Sequence, residues 1–215
     1  MLRIILVDDH AIVRTGYRRL LDAEPGLLVV GEAARADEAN ELVSRVAPDV
    51  ALVDLSLKGS SGFEAIRGML ARRPALKVLV LSMHEEASHI TQALRCGALG
   101  YLSKHCEPDD VIAGIRRVAT GERVFSPEIA QILARDVGDG DGGLHQLTPR
   151  EFDVLRMLVR GESSSAIASA MQLSPKTVLN YLSLIRQKLG IDNDFKLLHL
   201  AARHGLVTPQ QAVNL

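Results

Sequence analysis

The sequence contains no tryptophan, and aromatic residues make up only 3% of its 215 positions, so any core must be built mainly from aliphatic side chains. There are two cysteines, Cys96 and Cys106, and neither stands in a recognisable motif. That excludes a disulfide framework and fits a reducing compartment, where small buried thiols are common. No apolar stretch approaches the roughly 18 residues that cross a bilayer, which excludes a membrane-spanning helix. Met1 leads almost directly into an apolar run, so no signal peptide is expected and a cytoplasmic location is. The seven histidines are scattered. None is expected to join a cysteine or carboxylate at metal-ligand spacing, and His10, His84, His89 and His105 are read as surface or capping residues. A large charge of either sign is lacking too. The formal net charge is -1, with 47% hydrophobic and 24% charged residues, the profile of a soluble globular chain. That total hides an asymmetry. From Leu147 onward eight Lys or Arg stand against five Asp or Glu, so the C-terminal part is mildly basic. Nucleic-acid binding is permitted there without being established.

What the first half does contain is a set of short apolar runs that each end in a chemically capable residue. Ile4–Val7 runs into Asp8 and Asp9, Val50–Val53 into Asp54, and Val78–Leu81 into Ser82. The segment from Ala98 to Ser103 delivers Lys104. Runs of this length, separated by helix-length segments, predict buried strands of a parallel sheet. In an open parallel sheet ligands bind outside the carboxyl ends of the strands, at the point where the strand order reverses. Residues far apart in sequence therefore converge.

Five strand-helix alternations fill roughly the first 122 residues, the pattern of a doubly wound α/β domain. Helices are expected around Ile12–Leu21, over Ala36–Val46, after Gly62 up to Pro74, over Glu86–Cys96 and over Pro108–Thr120. Glycines or prolines follow several of them as stop signals. A further short helix, Pro127–Ala134, precedes Gly138–Gly143, a hydrophilic linker by composition. Without a preceding strand or a following Lys-Ser/Thr, that glycine run is not a nucleotide-binding loop. The remainder, 147–215, has no strand signal. Thr148, Pro149 and Glu151 form a capping-box signature for a helix to Arg160. Ser163 or Ser164 starts a short helix through Met171, Ser174 caps one to Leu189, and Asp192 or Asn193 opens a last one to His204. A tight turn between the second and third of these predicts a helix-turn-helix. Ile167, Ala170, Leu173, Val178, Leu182, Ile185 and Leu189 are its expected core.

The convergent set in the first domain suits phosphoryl chemistry with Mg²⁺. That ion takes oxygen ligands, usually one or two carboxylates together with phosphate oxygens and waters. Asp8 and Asp9 supply adjacent carboxylates. Asp54 can act as a nucleophile toward phosphorus, forming an acyl phosphate. Lys104 and the Ser82 hydroxyl can neutralise phosphoryl oxygens, which is most of what such transfer requires.

Val7-Asp8-Asp9-His10, Val53-Asp54-Leu55, Leu81-Ser82 and Gly100-Tyr101-Leu102-Ser103-Lys104 resemble, in order and spacing, the motifs of the receiver domain of two-component response regulators. The resemblance implies a flavodoxin-like five-stranded parallel sheet and makes Asp54 the phosphoacceptor, with a sensor histidine kinase as donor. It implies that Asp8, Asp9, Asp54 and the backbone carbonyl of Ser56 hold Mg²⁺, and that Ser82 and Tyr101 form a switch pair in which Tyr101 moves inward. Two places depart from the family pattern. Lys58 stands where a proline is usual four residues after the phosphoacceptor, and His105 stands where proline usually follows the lysine. A cis bond without proline costs about 3 kcal/mol, so none is expected at His105.

Leu147-Thr148-Pro149-Arg150-Glu151, Ile167-Ala168, Leu173-Ser174, Thr177-Val178 and Lys188-Leu189-Gly190 resemble the LuxR-type DNA-binding domain, and the combination resembles the NarL/FixJ class. That implies that the helix from Ser174 to Leu189 enters the major groove of double-stranded promoter DNA. It also implies that phosphorylation shifts domain docking and favours a homodimer. Lys176, Thr177, Asn180, Ser183 and Arg186 are the expected DNA-facing residues, with Gln187 beside them. Relatives often carry basic residues at the positions held here by Leu179 and Ser183. The expected architecture is a receiver over 1–122, a linker helix and Gly/Asp-rich linker over 123–146, and a helix-turn-helix domain over 147–215. Two rival functions are an aspartyl-phosphate phosphatase and a constitutive DNA-binding protein with a non-switching receiver. The first needs Asp-x-Asp after the first strand, where this chain has adjacent aspartates; the intact acidic set opposes the second. The protein is expected to bind and regulate rather than to act as an enzyme.

Overall fold

The computed structural model describes residues 1–57, 59–136, 143–204 and 206. Lys58, most of the glycine-rich stretch, Gly205 and 207–215 lie outside them. The chain divides into two compact units, Met1–Glu85 with Ala93–Arg135, and Glu86–Gln92 with Asp136–Leu215.

In the first unit the apolar runs become β1 (Leu2–Val7), β2 (Leu27–Ala33), β3 (Val50–Val53), β6 (Lys77–Ser82) and β7 (Gly100–Ser103). A two-residue β8 (Val124–Phe125) joins them in one sheet of order β2-β1-β3-β6-β7-β8, and every neighbouring pair is parallel. Five strands were expected. The sixth pairs Gly100 with Val124 and Tyr101 with Phe125, inside the stretch read as linker. A second departure is the small antiparallel ribbon of β4 (Ser56–Leu57) and β5 (Ser60–Ser61) just after β3.

Successive strand residues face opposite sides of a sheet, and here both sides are buried. Ile4, Leu6, Leu52, Leu79, Leu81 and Leu102 cluster with Leu21 of α1 (Ala11–Asp22) and with Val111, Ile115 and Val118 of α5 (Pro108–Ala119). The alternate residues Ile5, Val7, Ala51, Val53, Val78 and Val80 are buried too. A parallel sheet buried on both faces explains why its strands read as continuous apolar runs rather than alternating ones. Helices α2 (Ala36–Val46), α3 (Gly62–Arg72) and α6 (Pro127–Asp136) complete the alternation, while α4 (Ala87–Arg95) is divided between the two units. Ile12 lies within α1, as the sequence predicts, but on its outer face, 88% exposed.

The second unit contains a 3₁₀ turn at Leu144–Gln146, then α7 (Pro149–Val159), α8 (Ser164–Ala170), α9 (Pro175–Leu189) and α10 (Asp194–Arg203). Its helix starts follow the capping chemistry of the sequence. The side chains of Thr148, Ser163, Ser174 and Asn193 accept from the backbone N–H of Glu151, Ala166, Thr177 and Lys196. The Thr148 amide donates back to Glu151 Oε2 at 2.7 Å, completing the capping box. Glu151 is buried, which alone would raise its pKa. The Lys188 ammonium at 2.7 Å and the Thr148 groups outweigh this and hold the carboxyl below its ordinary value. Gln172 takes a left-handed conformation at φ 54 in the turn between α8 and α9, and Gly190 at φ 65 ends α9. Ile167, Val178, Leu182 and Ile185 are buried as expected. Ala170 is exposed instead, and Ala168 is the alanine that packs inward.

Candidate functional site

Parallel register carries the functional groups to one edge of the sheet. Val7 pairs with Val53, and Ser82 with Ser103. The ladder then extends by one bond beyond each strand end: Asp8 N–H to the Ala33 carbonyl (3.1 Å), Asp54 N–H to that of Val7 (2.8 Å) and Lys104 N–H to that of Ser82 (2.9 Å). The backbone under the three side chains is thereby fixed. They lie where the chain, having gone from β1 to β2 on one side, returns to β3 on the other, the crevice that the doubly wound topology leaves open.

Lys104 Nζ donates to Asp8 Oδ2 and to Asp54 Oδ2, each at 2.7 Å, and both carboxylates are buried. Burial disfavours the ammonium, but the hydrogen bonds and charges of Asp54 and Asp8 outweigh it and raise the lysine above its ordinary value. Lys104 is therefore charged at neutral pH. Asp9 joins the group with its Oδ1 buried beside the His10 ring. His10 Nδ1 lies 2.7 Å from that oxygen and 3.2 Å from Asp8 Oδ1, and the His10 amide donates to Asp8 Oδ1 at 2.8 Å. Ligand-capable atoms of Asp8, Asp9, His10 and Asp54 all fall within 4.8 Å of one another. The expectation that no histidine meets a carboxylate at such spacing fails here. His89, expected at the surface, is buried with Nδ1 3.4 Å from Glu86 Oε2.

Among the described residues three carboxylates face one ammonium, with the His10 ring nitrogen beside Asp9 Oδ1. An oxygen-liganded divalent cation fits that donor set and that charge. Asp8, Asp9 and Asp54 are the residues able to hold it.

The surrounding groups are engaged as follows. The Ser56 amide donates to Asp54 Oδ1 at 3.3 Å, and its hydroxyl lies 2.9 Å from His84 Nε2. Ser82 is fully buried at the end of β6, where its hydroxyl accepts from the His84 amide. Tyr101 is fully buried as well, its hydroxyl donating to the His84 carbonyl, so the ring already occupies an inward position. The bond between Lys104 and His105 is trans. Burial and Asp110 push the Cys106 thiol up, which keeps it protonated and makes it a poor nucleophile.

Two residues of the site were not anticipated. Arg14, one turn into α1, donates through Nη1 to the Asp8 carbonyl at 2.5 Å while its Nε bonds Glu32 at 3.1 Å, bracing the acidic turn against β2. Gly62 opens α3 directly against the Asp54–Leu55 backbone. A Cβ there would stand 2.4 Å from the Asp54 carbonyl oxygen and 2.5 Å from Leu55 Cα, both backbone atoms with little freedom to yield. Gly62→Ala is therefore expected to destabilise the first unit by about 1–3 kcal/mol and to slow acyl-phosphate formation. Thermal melting and phosphate-affinity electrophoresis check the two effects, and a wild-type result in both would refute the close-approach argument.

On the second unit, α9 buries Val178, Leu182 and Ile185 and exposes Lys176, Leu179, Asn180, Ser183, Leu184 and Gln187. Arg186 is half-buried. Thr177 is half-buried too, its hydroxyl 2.8 Å from that of Ser174, so it serves the helix start.

Known proteins share both halves. A family model described as response regulator receiver domain matches residues 4–116, and one described as bacterial regulatory proteins, luxR family, matches 145–201. The chain is 37% identical over 209 residues to response regulator UvrY of Escherichia coli strain K12, covering 96% of each protein. It is 37% identical over 210 residues to response regulator GacA of Pseudomonas aeruginosa, covering 96% of this chain and 98% of that one. Among solved structures, RcsB from Salmonella enterica serovar Typhimurium, bound to promoter P1flhDC in the presence of phosphomimetic BeF3−, matches with a TM-score of 0.73. Its identity is 26%, over 94% of this chain and 98% of that one. With a receiver domain followed by a LuxR-type helix-turn-helix, this chain belongs to the NarL/FixJ class of two-component response regulators, the phosphorylation-dependent transcription regulators.

Proposed function

We propose that this protein is switched by phosphorylation of Asp54 and acts on promoter DNA through α9. Its working parts are assigned as a receiver over 1–122, a linker over 123–146 and a DNA-binding domain over 147–215. The observation that carries the phosphoryl assignment is Lys104 Nζ, held 2.7 Å from both Asp8 and Asp54 at the reversal point of the sheet.

An Asp54 carboxylate oxygen attacks the phosphorus of a phosphohistidine on a sensor kinase, or of acetyl phosphate. The P–O bond to aspartate forms as the bond to imidazole nitrogen or acetate oxygen breaks, and a departing imidazole takes up a proton. Lys104 exchanges one carboxylate partner for a phosphoryl oxygen, and the Ser82 hydroxyl supplies a second contact. Mg²⁺ bound by Asp8, Asp9, Asp54 and the Ser56 carbonyl would neutralise the remaining phosphoryl charge. Tyr101, on the neighbouring strand and paired with Val80 two residues before Ser82, is the second member of the switch pair. Phosphorylation then biases domain docking and homodimer formation to the extent that it favours one arrangement. The chain turns over nothing beyond its own phosphoryl group. A cytoplasmic location follows from the promoter DNA it is proposed to bind; none of its described helices is long and apolar enough to cross a membrane.

The test is incubation of the full chain with acetyl phosphate and Mg²⁺. A hydroxylamine-labile, retarded species is expected on phosphate-affinity gels, absent when EDTA is added. It should bind more tightly to a duplex selected by the phosphorylated chain from a random-sequence pool. No retarded species, or steady turnover of a generic phosphate monoester, would overturn the reading.

A further inference from the structure

The exposed face of α9 carries a residue that neither phosphate attraction nor hydrogen bonding explains. Lys176, Leu179, Asn180 and Ser183 follow the i, i+3, i+4, i+7 spacing and form one stripe along the helix. All four are exposed, and Leu179 is 57% exposed. A single surface leucine is ordinary in itself. This one differs by its place. It lies in the N-terminal half of α9, the half that meets base edges in a helix-turn-helix, one turn after a cation and one turn before a hydroxyl. The core of the unit is served by the opposite side of the helix, through Val178, Leu182 and Ile185. Leu179 is not part of that core.

Each polar member of the stripe has a partner chemistry on duplex DNA: phosphate for Lys176, adenine N6 and N7 for Asn180, a phosphate or base edge for Ser183. The leucine has one as well. Among the base edges of the major groove only thymine presents an apolar group, its C5-methyl. We propose that Leu179 contacts a thymine C5-methyl and so selects an A·T pair next to the adenine read by Asn180. This rests on the reading that α9 is the groove helix. Leu179 and Asn180 are consecutive, about 100° apart around the helix, so they address neighbouring base pairs rather than one edge. Lys176 supplies attraction that falls with salt. The leucine supplies discrimination that does not, because contact with a methyl releases no counterion.

Deoxyuridine in place of thymine removes that methyl and keeps every hydrogen-bonding group. The full chain, treated with acetyl phosphate, is titrated against a duplex it has selected from a random-sequence pool, with each thymine replaced in turn. Wild type is expected to lose about four-fold in affinity at one thymine per half-site, the size of a single buried methyl. Leu179→Ala is expected to bind the thymine and deoxyuridine duplexes equally. Alanine on an exposed helix face favours the helix, so the variant folds. Lys176→Ala should weaken every duplex alike and keep the deoxyuridine penalty. If Lys176→Ala and Asn180→Ala both bind as wild type does, α9 is not the groove helix and both readings fall together. If those variants weaken binding but wild type tolerates deoxyuridine everywhere, only the thymine contact falls. It falls equally if Leu179→Ala keeps the wild-type penalty, or if it loses only its dimer in sedimentation, which would assign the leucine to a second copy of the chain.

Discussion

Asp54→Asn is expected to accept no phosphoryl group from acetyl phosphate or from a kinase, a complete loss. The amide nitrogen is not a nucleophile toward phosphorus, and the amide oxygen carries no charge with which to form an acyl phosphate. The substitution preserves shape, so loss of fold is not the cause. Asp54 is buried among Asp8 and Asp9, with one ammonium for three carboxylates among the described residues. Removing one negative charge relieves like-charge repulsion, and the variant should melt no lower than wild type. Its DNA binding should be indifferent to acetyl phosphate while keeping its unphosphorylated value. Asp9→Ala provides the contrast. Asp54 remains, so phosphorylation should be weakened rather than chemically impossible, and raising Mg²⁺ should restore part of it. Full, hydroxylamine-labile labelling of Asp54→Asn would place the acceptor elsewhere.

The parts of this site that could be read before the structure share a physical cause. A strand buried on both faces has to be apolar throughout, so Val50–Val53 announces itself and Asp54 is then its end by position alone. Parallel direction does the rest, gathering Asp8, Asp54, Ser82 and Lys104 without any knowledge of the loops. Helix starts were legible for a similarly local reason: Thr148, Ser163 and Ser174 each cap within three residues of themselves. Less visible were features set by rotation or by approach in space. Arg14 reaches the Asp8 carbonyl only because α1 turns that face toward the acidic loop, the same rotation that leaves Ile12 outside. Gly62 reads as a helix-start glycine, and its real constraint is the Asp54 carbonyl standing where a Cβ would be. In α8, seven residues long, two alanines two positions apart fit the apolar pattern almost equally, and periodicity chose Ala170 where packing chose Ala168. The pair in β8 is too short to have any period at all.

Lys104→Met is expected to give the largest loss of stability of any substitution at the site, about 3 kcal/mol in Mg²⁺-free buffer. One ammonium bonds two buried carboxylates at 2.7 Å each. Removing one partner of a buried ion pair leaves uncompensated charge, at a cost of roughly 3–5 kcal/mol, and the lower end applies because the lysine is partly reached by solvent. For a unit of this size the loss corresponds to a fall on the order of 10 °C in melting temperature. Methionine keeps much of the aliphatic bulk, so the effect measures the charge. The pH dependence has a definite sign. A raised lysine pKa means that its stabilisation is fully present below the unfolded value near about 10.4 and is lost as pH rises through the higher folded value. The difference between wild type and variant should therefore stay flat through neutral pH and shrink only under strongly alkaline conditions. Added Mg²⁺ should recover more stability in the variant than in wild type, since the cation supplies the charge that Lys104 no longer does and binding to the folded state stabilises by mass action. What Mg²⁺ should not recover is the response to phosphorylation, because the ammonium that would follow the phosphoryl oxygen is gone. Melting with and without Mg²⁺, set beside DNA affinity with and without acetyl phosphate, separates the two roles. A variant that melts with wild type in EDTA would mean that the two hydrogen bonds contribute nothing net. One that still tightens on DNA after phosphorylation would remove Lys104 from the switch.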